Sequence, residues 1–86
     1  MIMFEKGRVV ISRAGRDRDY LLVIMQADEK SVLVCDGKER PIDRPKKKNI
    51  RHIEPTEYVI DISQITTDRA IRKELRRISD EINCNV

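Results

Sequence analysis

The hydrophobic positions of this chain first alternate, then run together, and finally recur every three to four residues. Arg8 to Arg13 (RVVISR) is short and β-branched, with Gly7 before it and Ala14-Gly15 after it, which predicts a strand ending in a turn. Tyr20 to Ala27 (YLLVIMQA) is apolar at successive positions, so both of its faces must be buried. In a short chain that predicts a bent strand through the middle of a curled sheet. Asp28-Glu29-Lys30 reads as a polar turn and Ser31 to Asp36 (SVLVCD) as a third strand, completing a meander. Asp36-Gly37 then opens a loop in which Pro41 and Pro45 each remove a backbone donor, excluding a central strand or a helix interior. Asn49 to Glu54 (NIRHIE) predicts a strand stopped by Pro55. Glu57 to Ile62 (EYVIDI) alternates as a half-exposed final strand does.

After residue 63 the period changes. Thr66 or Thr67 suits an N-cap, and Asp68 falls in a first turn where the helix dipole favours negative charge. Ile71, Leu75, Ile78 and Ile82 then form one apolar stripe with Arg72, Lys73, Arg76 and Arg77 largely off it. Five short strands followed by an amphipathic helix predict a mainly β fold, a small barrel over 1–63 with a C-terminal helix over 64–86 packed on or beside it. The stripe suits covering the protein's own sheet better than docking on a partner.

Size and composition narrow the function. A chain of 86 residues buries only about 60 to 65 % of its unfolded surface. With no Trp, and with Phe4, Tyr20 and Tyr58 its only aromatics, its core is aliphatic. Proteins that read single-stranded bases supply several aromatic platforms, and this chain lacks them; Tyr20 and Tyr58 read as core or rim residues of their strands. Cys35 and Cys84 share no CxxC spacing and read as reduced thiols. The opening MIMFEKG is too short in apolar residues for a signal segment, and no run approaches a membrane span. A cytoplasmic protein without a membrane partner is expected.

The formal net charge is +3, unevenly placed. Residues 36–52 carry seven basic and three acidic side chains, whereas residues 53–86 carry five and seven. Such segregation creates a local positive potential able to hold a polyanion. Arg13, Arg16 and Arg18 crowd the turn at Gly15, a glycine expected at positive φ. Asp17 and Asp19 interrupt them, either orienting the arginines or diluting their field. Pro41 and Pro45 stiffen the loop that carries Lys46, Lys47 and Lys48, so less freedom is lost on binding.

The stretch EKGRVVISRAGRDRDYLLVIMQAD resembles a KOW motif, and the following VLVCDGKERPIDRPKKKNIRHI resembles the short KOW-domain RNA-binding proteins, which are similar to large-subunit ribosomal proteins of archaea and eukaryotes. The resemblance covers residues 5 to 54. It implies an SH3-like barrel that binds structured RNA, ribosomal RNA or the ribosome, with a ribosomal or translation protein as a further partner. By position it implies RNA contacts from Arg13, Arg16 and Arg18, then from Arg44, Lys46, Lys47, Lys48 and Asn49, with Gly15 as the motif glycine; Lys38, Arg40 and Arg51 join them as cations of the same basic stretch, and Gly37 as a second turn glycine. Scarce aromatics and many cations independently favour folded RNA, recognised through phosphates and 2′-OH groups.

Other classes are less well supported. Cys35 or Cys84 with His52 matches no nucleophile-base spacing, Ser12 and Ser31 lack a nucleophile elbow, and no glycine-rich phosphate loop is present. No catalytic residue, cofactor, metal or small-molecule substrate is expected. The rival is an SH3-like protein-interaction module docking on translation or transcription machinery. An RNA binder requires the arginine turn and the lysine run on one face.

Overall fold

The computed structural model describes residues 4–82. Five strands, β1 (Arg8–Ser12), β2 (Leu21–Ala27), β3 (Ser31–Cys35), β4 (Lys46–Asn49) and β5 (Ile53–Val59), precede helix α1 (Asp68–Ile82). All pairings are antiparallel, in the order β4-β3-β2-β1-β5. The fold is therefore mainly β, a five-stranded sheet with one C-terminal helix. The ladder is open: β4 and β5 form its two edges and do not pair with each other.

The continuous apolar run of β2 has the cause its pattern implies, because the sheet is covered on both sides. Val9, Leu21, Val23 and Cys35 project to one face and meet Ile71, Leu75 and Ile78 of α1. Val10, Leu22, Ile24, Val32, Val34 and Ile53 fill the other face. The register explains the partition: Val9 lies opposite Val23 and Val23 opposite Cys35, while Val10 lies opposite Leu22 and Ile24 opposite Val34. Cross-strand partners share a face. Each fully buried Leu, Ile or Val contributes about 1.5–3 kcal/mol of transfer free energy. The helix stripe covers the protein's own core, as its spacing suggests.

The helix begins where its cap predicts. The Ala70 amide donates to Thr67 Oγ1 at 3.1 Å, which satisfies one of the amides left without a partner in the first turn. Asp68 Oδ1 accepts from the Ile42 amide at 2.7 Å, and Arg72 Nη1 donates to the Gly37 carbonyl at 2.6 Å. Gly37, at φ +77°, is buried so closely that a Cβ there would lie 2.5 Å from the Asp68 carbonyl oxygen. The β3–β4 connection and the start of α1 are thus locked together.

Between residues 46 and 62 the structure corrects the sequence reading. Lys46, Lys47 and Lys48 lie in an edge strand, not a loop, and β4 starts directly after Pro45. Ile50–His52 is a single 3-10 turn, and β5 runs through Pro55, which pairs opposite Val10. An edge strand tolerates proline because one row of its backbone groups has no ladder partner. Thr56 repairs the irregular register: its hydroxyl donates to the Val9 carbonyl at 2.7 Å and accepts from the Tyr58 amide at 3.1 Å.

Candidate nucleic-acid interface

In an antiparallel meander, the β1–β2 turn and the β3–β4 connection fall at the same end of the sheet. This places Arg16 beside Arg40 and the start of β4. Arg16, Arg40, Lys46 and Tyr20 line one cavity of about 510 Å³, with Asp17, Asp36 and Glu39 in its walls. Tyr20 is 41 % exposed there, so it stands at the rim. In the loop, Asp36 Oδ1 accepts from the amides of Lys38 and Arg40 at 2.8 and 3.0 Å, fixing the turn that carries Arg40.

The arginine turn is held from beneath by a lysine. Lys48 Nζ donates to the Ala14 carbonyl at 2.7 Å and to Asp17 Oδ1 at 2.8 Å, and its side chain is only 5 % exposed. Ser12, fully buried, adds a hydroxyl within 2.7 Å of Asp17 Oδ1. In a flat sheet β4 and β1 would stand about 14 Å apart, three strand spacings. Their contact through Lys48 is made by the curl of the sheet. Gly15 (φ +86°) and Asp19 (φ +71°) bend the backbone of the turn, and both adopt conformations disfavoured for most side chains.

The two aspartates left open by the sequence have separate roles. Asp19 pairs with Arg13, which also holds Glu54 across to β5 at 2.9 Å. Asp17 pairs with Lys48 and not with an arginine. Burial alone would raise the Asp17 carboxyl, but hydrogen bonds from Lys48 and Ser12 outweigh it and hold the group below its ordinary 3.8. A carboxyl lowered on folding contributes stability that is complete above its unfolded value and is lost as pH falls through the folded one. The melting temperature of the wild type should therefore exceed that of Asp17→Asn at pH 6, and the gap should narrow between about pH 4 and pH 2. A gap that does not change with pH would contradict the pairing.

The other expected contacts separate. Alternation along β4 sends Lys47 to the opposite side, where it lines a cleft with Asp28 and Gln26. Lys48 is buried, which corrects its expected place among the phosphate ligands: its ammonium is engaged by Asp17 and the Ala14 carbonyl. Asn49 Oδ1 accepts from the Arg51 amide at 2.8 Å and caps the 3-10 turn. Arg18, Arg44 and Arg51 are exposed, and Lys38 lies on the next cavity along the surface, beside α1. Sequence reasoning missed Ser12 and Lys48 as the partners that seat Asp17 and the turn, whereas Tyr20 stands at the rim, one of the two places its pattern allowed.

Nothing in the geometry prepares a nucleophile. Burial pushes the Cys35 thiol up to about 12, with Asp36 and Asp68 adding to the rise, so it carries no thiolate at neutral pH. Cys84 lies outside the described residues. His52 is exposed in the 3-10 turn, and among the described residues no cluster of His, Cys, Asp and Glu has the make-up of a metal site. No described helix is long and apolar enough to cross a membrane.

Fold and site define a small, mainly β protein that gathers arginine and lysine side chains on the turns at one end of a curled sheet. No family model matches the sequence. The chain is 33 % identical over 76 residues to large ribosomal subunit protein eL14 of Staphylothermus marinus, spanning 87 % of this chain and 79 % of the relative. The same protein of Saccharolobus islandicus gives the same identity and coverage. That of Methanococcus maripaludis is 28 % identical over 75 residues, 87 % of this chain and 92 % of the relative. The chain belongs to the eL14 family of large ribosomal subunit proteins, which are KOW-domain ribosomal proteins.

Proposed function

We propose that this protein is a non-catalytic component of the cytoplasmic large ribosomal subunit that binds folded ribosomal RNA with the end of its sheet bearing Arg16, Arg18, Arg40 and Lys46. The observation that carries the reading is the convergence of Arg16, Arg40 and Lys46 around Tyr20 in one concavity, in a chain whose relatives are large-subunit proteins. Guanidinium forks suit phosphate oxygens, and each phosphate neutralised releases counterions. Tyr20 supplies one stacking face for an unpaired base, worth about 1–3 kcal/mol. The curl that brings Lys48 of β4 under the β1–β2 turn, together with the three-residue passage from one sheet edge to the other, supports an SH3-like barrel as the scaffold.

Crosslinking in cells, followed by sucrose-gradient separation and sequencing of the attached RNA, tests this reading. The expected result is recovery with the large subunit and reads concentrated in its ribosomal RNA. Recovery with the subunit but without crosslinked RNA would instead assign the protein to a docking role on a ribosomal protein. Recovery outside the ribosome would overturn both.

A further inference from the structure

A concavity whose charge is predominantly positive lies along α1. Its cavity of about 460 Å³ is bordered by Lys38, Arg69, Arg72, Lys73 and Arg76, with Asp36 as its one carboxylate. The opposite flank of the helix neutralises itself: Arg77 pairs with both Glu74 and Glu81. By contrast Arg69, Arg72, Lys73 and Arg76 make no ion pair among the described residues. Helix stability alone would favour pairing them, since acid-base pairs three or four residues apart are stabilising. Arg72 is held in place by its bond to the Gly37 carbonyl, which leaves the remaining donors of its fork to the groove. Positions 69, 72, 73 and 76 fall on one side of a helix, spread over about 10 Å of its axis.

We infer that this groove is a second RNA-binding surface, taking the phosphate backbone of a further segment of the same folded RNA. The inference rests on the proposed function and extends it, because Asp36 borders both cavities and makes them neighbours. An acidic peptide would match the charge equally well. The shared border favours RNA: a folded strand leaving the arginine turn meets the groove next. On this account α1 has two tasks, its apolar stripe closing the core and its basic side lengthening the footprint.

The test uses the full chain, purified large-subunit ribosomal RNA as probe, hydroxyl-radical footprinting and the slope of log affinity against log salt. Arg69→Glu, Lys73→Glu and Arg76→Glu together should reduce the slope by about 2 to 3, and should erase one protected RNA segment while the segment lost in Arg16→Glu/Lys46→Glu stays protected. The Gln versions of the same positions, which keep helix propensity, should shift the slope in the same direction at an unchanged melting temperature. A wild-type slope and footprint in the folded Glu and Gln variants would overturn the inference and leave the proposed function standing. Detachment from the subunit with an intact RNA footprint would give the groove to an acidic protein partner, and likewise overturn it. A wild-type chain that protects no RNA segment would overturn both readings.

Discussion

Lys48→Met is expected to cost the fold about 3 kcal/mol and to loosen the arginine turn, although the lysine itself touches no ligand. Removing one member of a buried ion pair leaves the other charge without compensation, which costs about 3–5 kcal/mol at full burial. Here Asp17 keeps 18 % of its side-chain surface, so the lower end applies. The Ala14 carbonyl loses its donor at the same time. In a chain of this size about 3 kcal/mol lowers the melting temperature by more than about 10 °C. Lys46→Met, two residues earlier on the same strand face, should leave the melting temperature nearly unchanged. Lys48→Met with Asp17→Asn should recover part of the loss, because the uncompensated carboxylate is gone. If Lys48→Met and Lys46→Met melt alike, Lys48 is not the seat of the turn.

Gly7→Ala should cost at least as much, for a different reason. Gly7 sits at φ +90°, and a Cβ built there would lie 2.3 Å from the Ile60 carbonyl oxygen. The Gly7 amide donates to the Ile24 carbonyl and its carbonyl accepts from the Ile60 amide, each at 2.7 Å. The residue therefore ties β2 to the chain leaving β5. Left-handed strain of about 1–3 kcal/mol adds to two displaced backbone bonds worth about 1 kcal/mol each. Thermal unfolding should show a loss of about 3–5 kcal/mol. A variant that melts with the wild type would show that the backbone between β2 and the end of β5 accommodates a methyl group at this point.

Both predictions concern contacts between distant parts of the chain, and that separates what was legible in the sequence from what was not. The β1, β2 and β3 strands, the two-sided burial of β2, the positive φ of Gly15, the Thr67 cap and the stripe of α1 all follow from local period and local turn chemistry. The loop through Pro41 is where the sequence puts it, but from Pro45 to Val59 local signals mislead. Pro45 and Pro55 read as strand breakers, yet one directly precedes and the other occupies an edge strand, where a missing amide carries little penalty.

The candidate site was legible as a set of cations and illegible as an arrangement. Three consecutive lysines look equivalent until a strand divides them: Lys46 faces the cavity, Lys47 the opposite side, and Lys48 a carboxylate 31 positions away in sequence. The basic side of α1 could have been found from the spacing of Arg69, Arg72, Lys73 and Arg76. It was hidden by counting charge over residues 53–86, where seven acidic side chains, three of them ahead of the helix, outnumber five basic ones.

The salt dependence of binding to large-subunit ribosomal RNA, for the wild type against Arg16→Glu/Arg40→Glu/Lys46→Glu, addresses the central claim most directly. Three lost phosphate contacts should reduce the slope of log affinity against log salt by about 2 to 3, at a melting temperature close to that of the wild type. An unchanged slope and affinity in the folded triple variant would contradict the claim that this end of the sheet grips the RNA.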